Sequence, residues 1–155
     1  MEIIKNFLTR EQCKEMLNAC TSWKEMQYTP GVSDKIPVMS SGVKLSNFDW
    51  IEKISKGRHC YSRYILKYQT GSFLPEHIDF NLEEPWKDVY NIILNDEFTG
   101  GELVFPLQNV VATNADIGSL IIHPAGLNNG KLDPSHKHYV NKITSGVRYS
   151  LSLRF

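Results

Sequence analysis

Apolar positions near the N-terminus recur at helical spacing. Cys13, Met16, Leu17 and Cys20 lie three or four apart, the repeat that lines one face of an α-helix. Thr9-Arg10-Glu11-Gln12 just before them has the form of a capping box, in which threonine and glutamine satisfy each other's backbone N–H groups. The pattern predicts a helix over about 10–21. Trp50, Ile51 and Ile54 predict a second helix that begins near Asp49 and stops at Gly57. Residues 27–47 carry Pro30-Gly31, Pro37 and several serines, and read as irregular chain with room for one short strand.

After Tyr61 the texture changes. Tyr61–Tyr68 is rich in aromatic and branched residues, and further strand-like runs are Val89–Leu94, Glu102–Phe105, Gly118–His123, His138–Ile143 and Val147–Phe155. Thr70-Gly71, Thr99-Gly100-Gly101, Gly126 and Ser145-Gly146 punctuate them. Leu127–Lys137 is the longest polar loop. Two helices followed by many short strands predict a mainly β fold, a closed or folded-over antiparallel sheet with the helices packed outside.

A chain of 155 residues, 41% of them apolar, is most simply one domain with a real core. Lysine plus arginine and aspartate plus glutamate each number 17, so no global field steers the chain to nucleic acid or an anionic membrane. Ile3, Ile4, Phe7 and Leu8 are broken by Lys5 and Asn6, too short and mixed for a signal peptide. No long apolar run spans a membrane, and a cytoplasmic location is expected. Cys13, Cys20 and Cys60 include no Cys-x-x-Cys; buried free thiols in a reducing compartment are expected.

The chemistry concentrates in His77-Ile78-Asp79. On a strand, positions two apart share a face, and Pro75-Glu76 ahead of them suggests a strand entrance. Two imidazoles and a carboxylate suit Fe(II) and leave coordination positions open. The pair alone also fits an ordinary turn with a satisfied histidine. His138 is the natural third ligand, with His136 and His123 as alternatives. Gly146-Val147-Arg148 follows, and a planar guanidinium fork at Arg148 matches a carboxylate.

These residues resemble the Fe(II)/2-oxoglutarate-dependent dioxygenases, and most closely their prolyl 4-hydroxylase-like branch. The matching motifs are His77/Asp79, His138/Val140, Gly146/Arg148, Leu94-Asn95, Gly100-Gly101-Glu102 and Phe105-Pro106, over about Tyr61 to Tyr149. The resemblance implies a double-stranded β-helix, or jelly roll, over residues 61–155 of a single domain, with residues 1–60 as helical support. It implies iron on His77, Asp79 and His138, and 2-oxoglutarate held through Arg148, Tyr68 and Ser150. O₂ would be the other co-substrate, and ascorbate a candidate reductant. The implied partner is a peptide or protein, with a proline-containing one as the first candidate, and the enzyme a monomer or small homo-oligomer.

Asn91 shares a strand face with Ile93 and is a further candidate for contacting either substrate. His59 is expected to cap the second helix. Trp23, Trp50 and Trp86 read first as packing residues, although Trp86 lies in a segment, Asn81–Lys87, that resembles the one covering substrate in this family. Substrate choice is expected from Met26–Asn47 and Asn81–Lys87. Arg154, six residues beyond Arg148, resembles instead the nucleic-acid demethylases of the superfamily. The short spacing from His138 to Arg148 and the neutral charge favour a peptide hydroxylase, which leaves Arg154 structural or at the rim. A small-molecule hydroxylase, and a non-catalytic jelly-roll binding module, are the remaining readings.

Overall fold

The computed structural model describes residues 1–20, 22–26, 38–43, 48–80, 86–128 and 131–155. Its strands, in chain order, are β1 (Glu2–Ile4), β2 (Lys24–Glu25), β3 (Met39–Gly42), β4 (Ser62–Gln69), β5 (Leu74–His77), β6 (Asp88–Ile93) and β7 (Phe98–Gly100). Then follow β8 (Leu103–Phe105), β9 (Val110–Ala112), β10 (Leu120–Pro124), β11 (Leu127–Asn128), β12 (Lys131–Leu132), β13 (His138–Val140) and β14 (Ile143–Arg154). The helices are α1 (Arg10–Asn18) and α2 (Asp49–Ser55).

The larger sheet has the order β1-β10-β6-β14-β4-β3-β2, with β7 also paired to β14. The smaller has the order β5-β13-β8-β9, and β11-β12 form a separate hairpin. All the pairings are antiparallel. The fold is mainly β, a jelly roll of two facing sheets as expected.

Period-2 alternation sends each strand's side chains to opposite faces. On β14, Leu151 and Leu153 point outward, where Cys13 and Met16 of α1 and Ile51 of α2 cover them together with Ile65, Ile92 and Leu120. On the inner face, Leu66, Tyr68, Ile93 and Ile121 of the large sheet meet Leu74, Leu103, Phe105 and Val140 of the small one. The inner residues of β14 are Arg148, Ser150, Ser152 and Arg154, which line a cavity between the sheets. The helices thus brace the outside while the inner face is freed for polar side chains.

The capping box at Thr9 and Gln12 forms as read, with both reciprocal bonds present, but α1 ends at Asn18, short of the expected boundary. The α2 helix matches its expected span; Lys56 and Gly57 follow it with positive φ. His59 does not cap it. Arg58 takes that place, donating Nε–H to the Ser55 carbonyl at 3.1 Å, while His59 stacks edge-on against Tyr61. The N-terminal region is more than helical support, because β1, β2 and β3 extend the large sheet. Ser145-Gly146 does not separate two strands. β14 runs through it, with a register shift against β7 and Gly146 at φ +76°. Only Cys13 of the three free thiols is fully buried; Cys20 and Cys60 are half-buried. Trp50 packs against Phe7 and Phe48, and Trp23 against Tyr149, in their expected roles. No helix among the described residues is long and apolar enough to cross a membrane.

Gly118 ties the N-terminal segment to the sheet. Its N–H donates to the Ile93 carbonyl and its carbonyl accepts from Leu8 N–H, both at 2.8 Å. Its φ is +75°, and a Cβ there would collide with the Leu8 carbonyl. Gly118→Ala should therefore cost about 1–3 kcal/mol, measured by urea denaturation. An unchanged midpoint would contradict this.

Candidate active site

The two sheets bring the sequence candidates together at one end of the cavity. β5 ends at His77 and β13 begins at His138, and the two residues are direct partners in the ladder. Their ring centroids are 4.3 Å apart. Asp79 lies just beyond the end of β5, so the pair sits at a strand's exit and not at the expected entrance; the Asp79 carbonyl is held by the Gly126 N–H at 2.9 Å.

Each imidazole is oriented by a backbone carbonyl. His77 Nδ1 lies 2.9 Å from Pro75 O, and His138 Nδ1 lies 3.0 Å from His136 O. A carbonyl can only accept, so in the neutral rings Nδ1 carries the proton and Nε2 presents its lone pair. This is the arrangement that metal-binding histidines adopt. The Nε2 atoms stand 3.8 Å and 3.4 Å from the Asp79 carboxylate. The ligating atoms of His77, Asp79 and His138 all lie within 4.8 Å of one another. Two nitrogens and one carboxylate form a donor set that fits Fe(II).

Burial pushes the Asp79 carboxyl upward, but His138, Arg154 and His77 outweigh it and hold it well below the usual carboxylate range. Arg154 is therefore not confined to the rim. Its Nη2 reaches Asp79 Oδ1 at 3.4 Å, its guanidinium lies over Trp86, and its Nη1 donates to Ser62 Oγ. Its even spacing from Arg148 was the signal that it faces inward.

At the other end of the cavity stands Arg148, only 1% exposed. Its Nη1 donates to Ser150 Oγ at 3.0 Å, and its guanidinium centre lies 5.0 Å from the buried Tyr68 ring centroid. Burial pulls the Arg148 pKa down, opposed by Tyr68. Among the described residues no carboxylate pairs with it, and its Nε is buried without a partner. An uncompensated buried cation is costly, so the pocket is built for an anion. The cavity of about 730 Å³ has His77, Asp79 and His138 together with Tyr68, Arg148 and Ser150 in its wall. That volume accommodates a small dicarboxylate and part of a second substrate.

His136 turns away from the cluster toward Asp133, 3.6 Å distant. His123 does reach it: 2% exposed, it brings Nε2 within 3.9 Å of Asp79. It does not belong to the group of three. Of the segments expected to select substrate, 27–37, 44–47 and 81–85 lie outside the described residues, while Met26 and Trp86 line cavities.

Burial, followed by His138, lowers the pKa of His77 and of His123, the latter to about 3. Between the folded and unfolded values, the folded state binds fewer protons, so stability rises with pH. The metal-free protein should therefore lose stability as pH falls below about 6.5. Asp79, with its depressed pKa, adds a loss in the same direction at still lower pH. His123→Phe should flatten the upper part of the profile. Unfolding midpoints measured against pH check this, and a flat wild-type profile would contradict it.

No family model and no curated protein matches the sequence. Solved structures do match the fold. A viral collagen prolyl hydroxylase from Paramecium bursaria Chlorella virus-1, in its 2-oxoglutarate complex, is 16% identical with a TM-score of 0.67, over 99% of this chain and 93% of that one. A Trichoplax adhaerens prolyl hydroxylase, in complex with a hypoxia-inducible-factor peptide fragment, is 19% identical with a TM-score of 0.71, over 99% and 81%. A Pseudomonas putida prolyl-4-hydroxylase is 16% identical with a TM-score of 0.65, over 99% and 90%. The chain thus has the fold of the prolyl hydroxylase-like 2-oxoglutarate–Fe(II) oxygenases.

Proposed function

We propose that this chain is an Fe(II)- and 2-oxoglutarate-dependent dioxygenase that hydroxylates a peptide or protein, in the manner of the prolyl 4-hydroxylases. The observation that carries this reading is a buried arginine, paired with no carboxylate among the described residues, in the same cavity as a His/Asp/His group. His77, Asp79 and His138 hold the metal. Arg148 binds the distal carboxylate of 2-oxoglutarate through its fork, with Ser150 orienting the guanidinium and Tyr68 walling the same pocket. Bound iron with 2-oxoglutarate supplies O₂ activation toward a C–H bond, releasing succinate and CO₂, with ascorbate as an accessory reductant. The protein groups position the reactants and exclude water.

A second cavity of about 450 Å³ adjoins the first, with Tyr64, Phe80 and Trp86 in its wall beside Lys24 and Glu25. Aromatic rings next to separated charges suit an extended chain that lays one side chain toward the metal. The peptide-bound Trichoplax structure supports a peptide partner for this fold. The contact between Arg154 and Asp79 is the feature that favours an oxidative demethylase. The zero formal charge stands against a polyanionic substrate.

The test is incubation with Fe(II), 2-oxoglutarate and O₂, offering proline-containing peptides and methylated oligonucleotides in parallel, with mass spectrometry of both. A peptide that gains one oxygen is the expected result. Demethylated oligonucleotide with untouched peptide would transfer the assignment, and binding without succinate would leave a jelly-roll binding module.

A further inference from the structure

Asn91 on β6 and His123 on β10 form a polar pair that the roles given above leave unexplained. Asn91 Nδ2 lies 3.2 Å from His123 Nε2. His123 Nδ1 lies 3.2 Å from the Pro124 carbonyl oxygen, which can only accept. The proton of the neutral ring is therefore on Nδ1, and Nε2 is an acceptor. The part of Asn91 that meets it must be the NH₂ group. His123 thereby sets the direction of an amide that could otherwise sit either way round. The ring is itself held in place, 2% exposed and 5.0 Å between centroids from Phe105.

Asn91 reaches the cavity and His123 stands behind it. In the sheet, Asn91 pairs with Ser152, which also lines the cavity. Along the inner face of β14, Ser152 stands between Arg148 and Arg154, and Arg154 meets Asp79. The Asn91–Ser152 row therefore separates the arginine end of the cavity from its metal end. One Asn91 N–H is spent on His123, and no hydrogen bond among the described residues takes the second, which is left for a ligand. Buried polar groups are costly unless used; His123 is buried, and Asn91 is half-buried in the cavity wall.

We infer that Asn91 is a co-substrate-binding residue that donates its second N–H to the oxo-acid end of 2-oxoglutarate, and that His123 is a positioning residue acting through Asn91. The inference rests on the proposed function and adds a selective contact to it.

The experiment is calorimetric titration of 2-oxoglutarate into Mn(II)-loaded protein without O₂, after a thermal melt of each variant. Asn91→Leu should weaken 2-oxoglutarate by about tenfold, the loss of one hydrogen bond to a charged group, with Mn(II) affinity near wild type. His123→Phe should weaken it to a similar extent. The double variant should be no weaker than Asn91→Leu alone, because the two act in series. His123→Gln, which restores an acceptor for Asn91, should recover binding. His123→Leu replaces the phenylalanine variant should that fail to fold. Wild-type 2-oxoglutarate affinity in Asn91→Leu or His123→Phe would overturn the inference, as would additive losses in the double variant. A fall in Mn(II) affinity that matches the loss of 2-oxoglutarate would also overturn it, because the pair would then serve Asp79. If the wild-type protein takes up neither Mn(II) nor 2-oxoglutarate, the proposed function fails and the inference falls with it. If it binds both and the variants do too, only the inference falls.

Discussion

Asp79→Ala should abolish turnover and strip the protein of its metal. Asp79 is the only carboxylate in the group of three, so the variant leaves a dication with two neutral imidazoles. Removing a group that merely orients a metal ligand costs roughly 10- to 100-fold in affinity, and losing the anionic ligand itself should exceed that. The fold should survive, since Arg154 is partly exposed and keeps Ser62 as a partner. Binding of Fe(II) or Mn(II) to the metal-free variant, followed beside its thermal melt, separates the two effects. A folded D79A protein with wild-type metal affinity would remove Asp79 from the site.

Arg148→Lys should act at the opposite end of the cavity. Lysine keeps the charge but loses the planar fork that matches a carboxylate. It would also lose the Ser150 contact and the face-on placement over Tyr68. A buried charge-assisted contact of this kind is worth about 2–5 kcal/mol, so 2-oxoglutarate saturation should move from tens- to thousands-fold higher concentration. Metal affinity should stay close to wild type, because Arg148 is not among the residues that meet Asp79. An R148K protein with an unchanged saturation curve would deny the arginine its role.

Much of this was legible in the chain because periodicity reports which side of a strand a residue faces. The alternation of Arg148 and Ser150 with Leu151 and Leu153 put polar groups inside and apolar ones under the helices, and the structure follows it. The same parity applied to Arg154, yet the family resemblance drew it toward the rim; burial of Asp79 beside it brings it back to the metal end. In the sequence His123 is a strand-end residue near the pocket and an alternative third ligand. Its importance depends on β10 and β6 being neighbours, and local pattern does not reveal which strands pair. The short strand β3 is the one that residues 27–47 had room for, but β1 and β2 escape the pattern for a related reason. Segments of two or three residues carry too little alternation to register, and they become strands by joining an existing edge. Gly146 was read as a break because glycine punctuates strands. Here its positive φ lets β14 run close to Glu97 and Phe98, whose backbone a Cβ would meet.

In the proposed function, the His/Asp/His group and Arg148 together support an oxidation driven by 2-oxoglutarate. The most direct measurement is succinate formed from 2-oxoglutarate in the presence of Fe(II), ¹⁸O₂ and a pool of proline-containing peptides, with the D79A protein as the control. Succinate is expected with the wild-type protein only, and ¹⁸O in a peptide product. Succinate no higher than in the D79A control, or a peptide product whose added oxygen does not come from ¹⁸O₂, would contradict it.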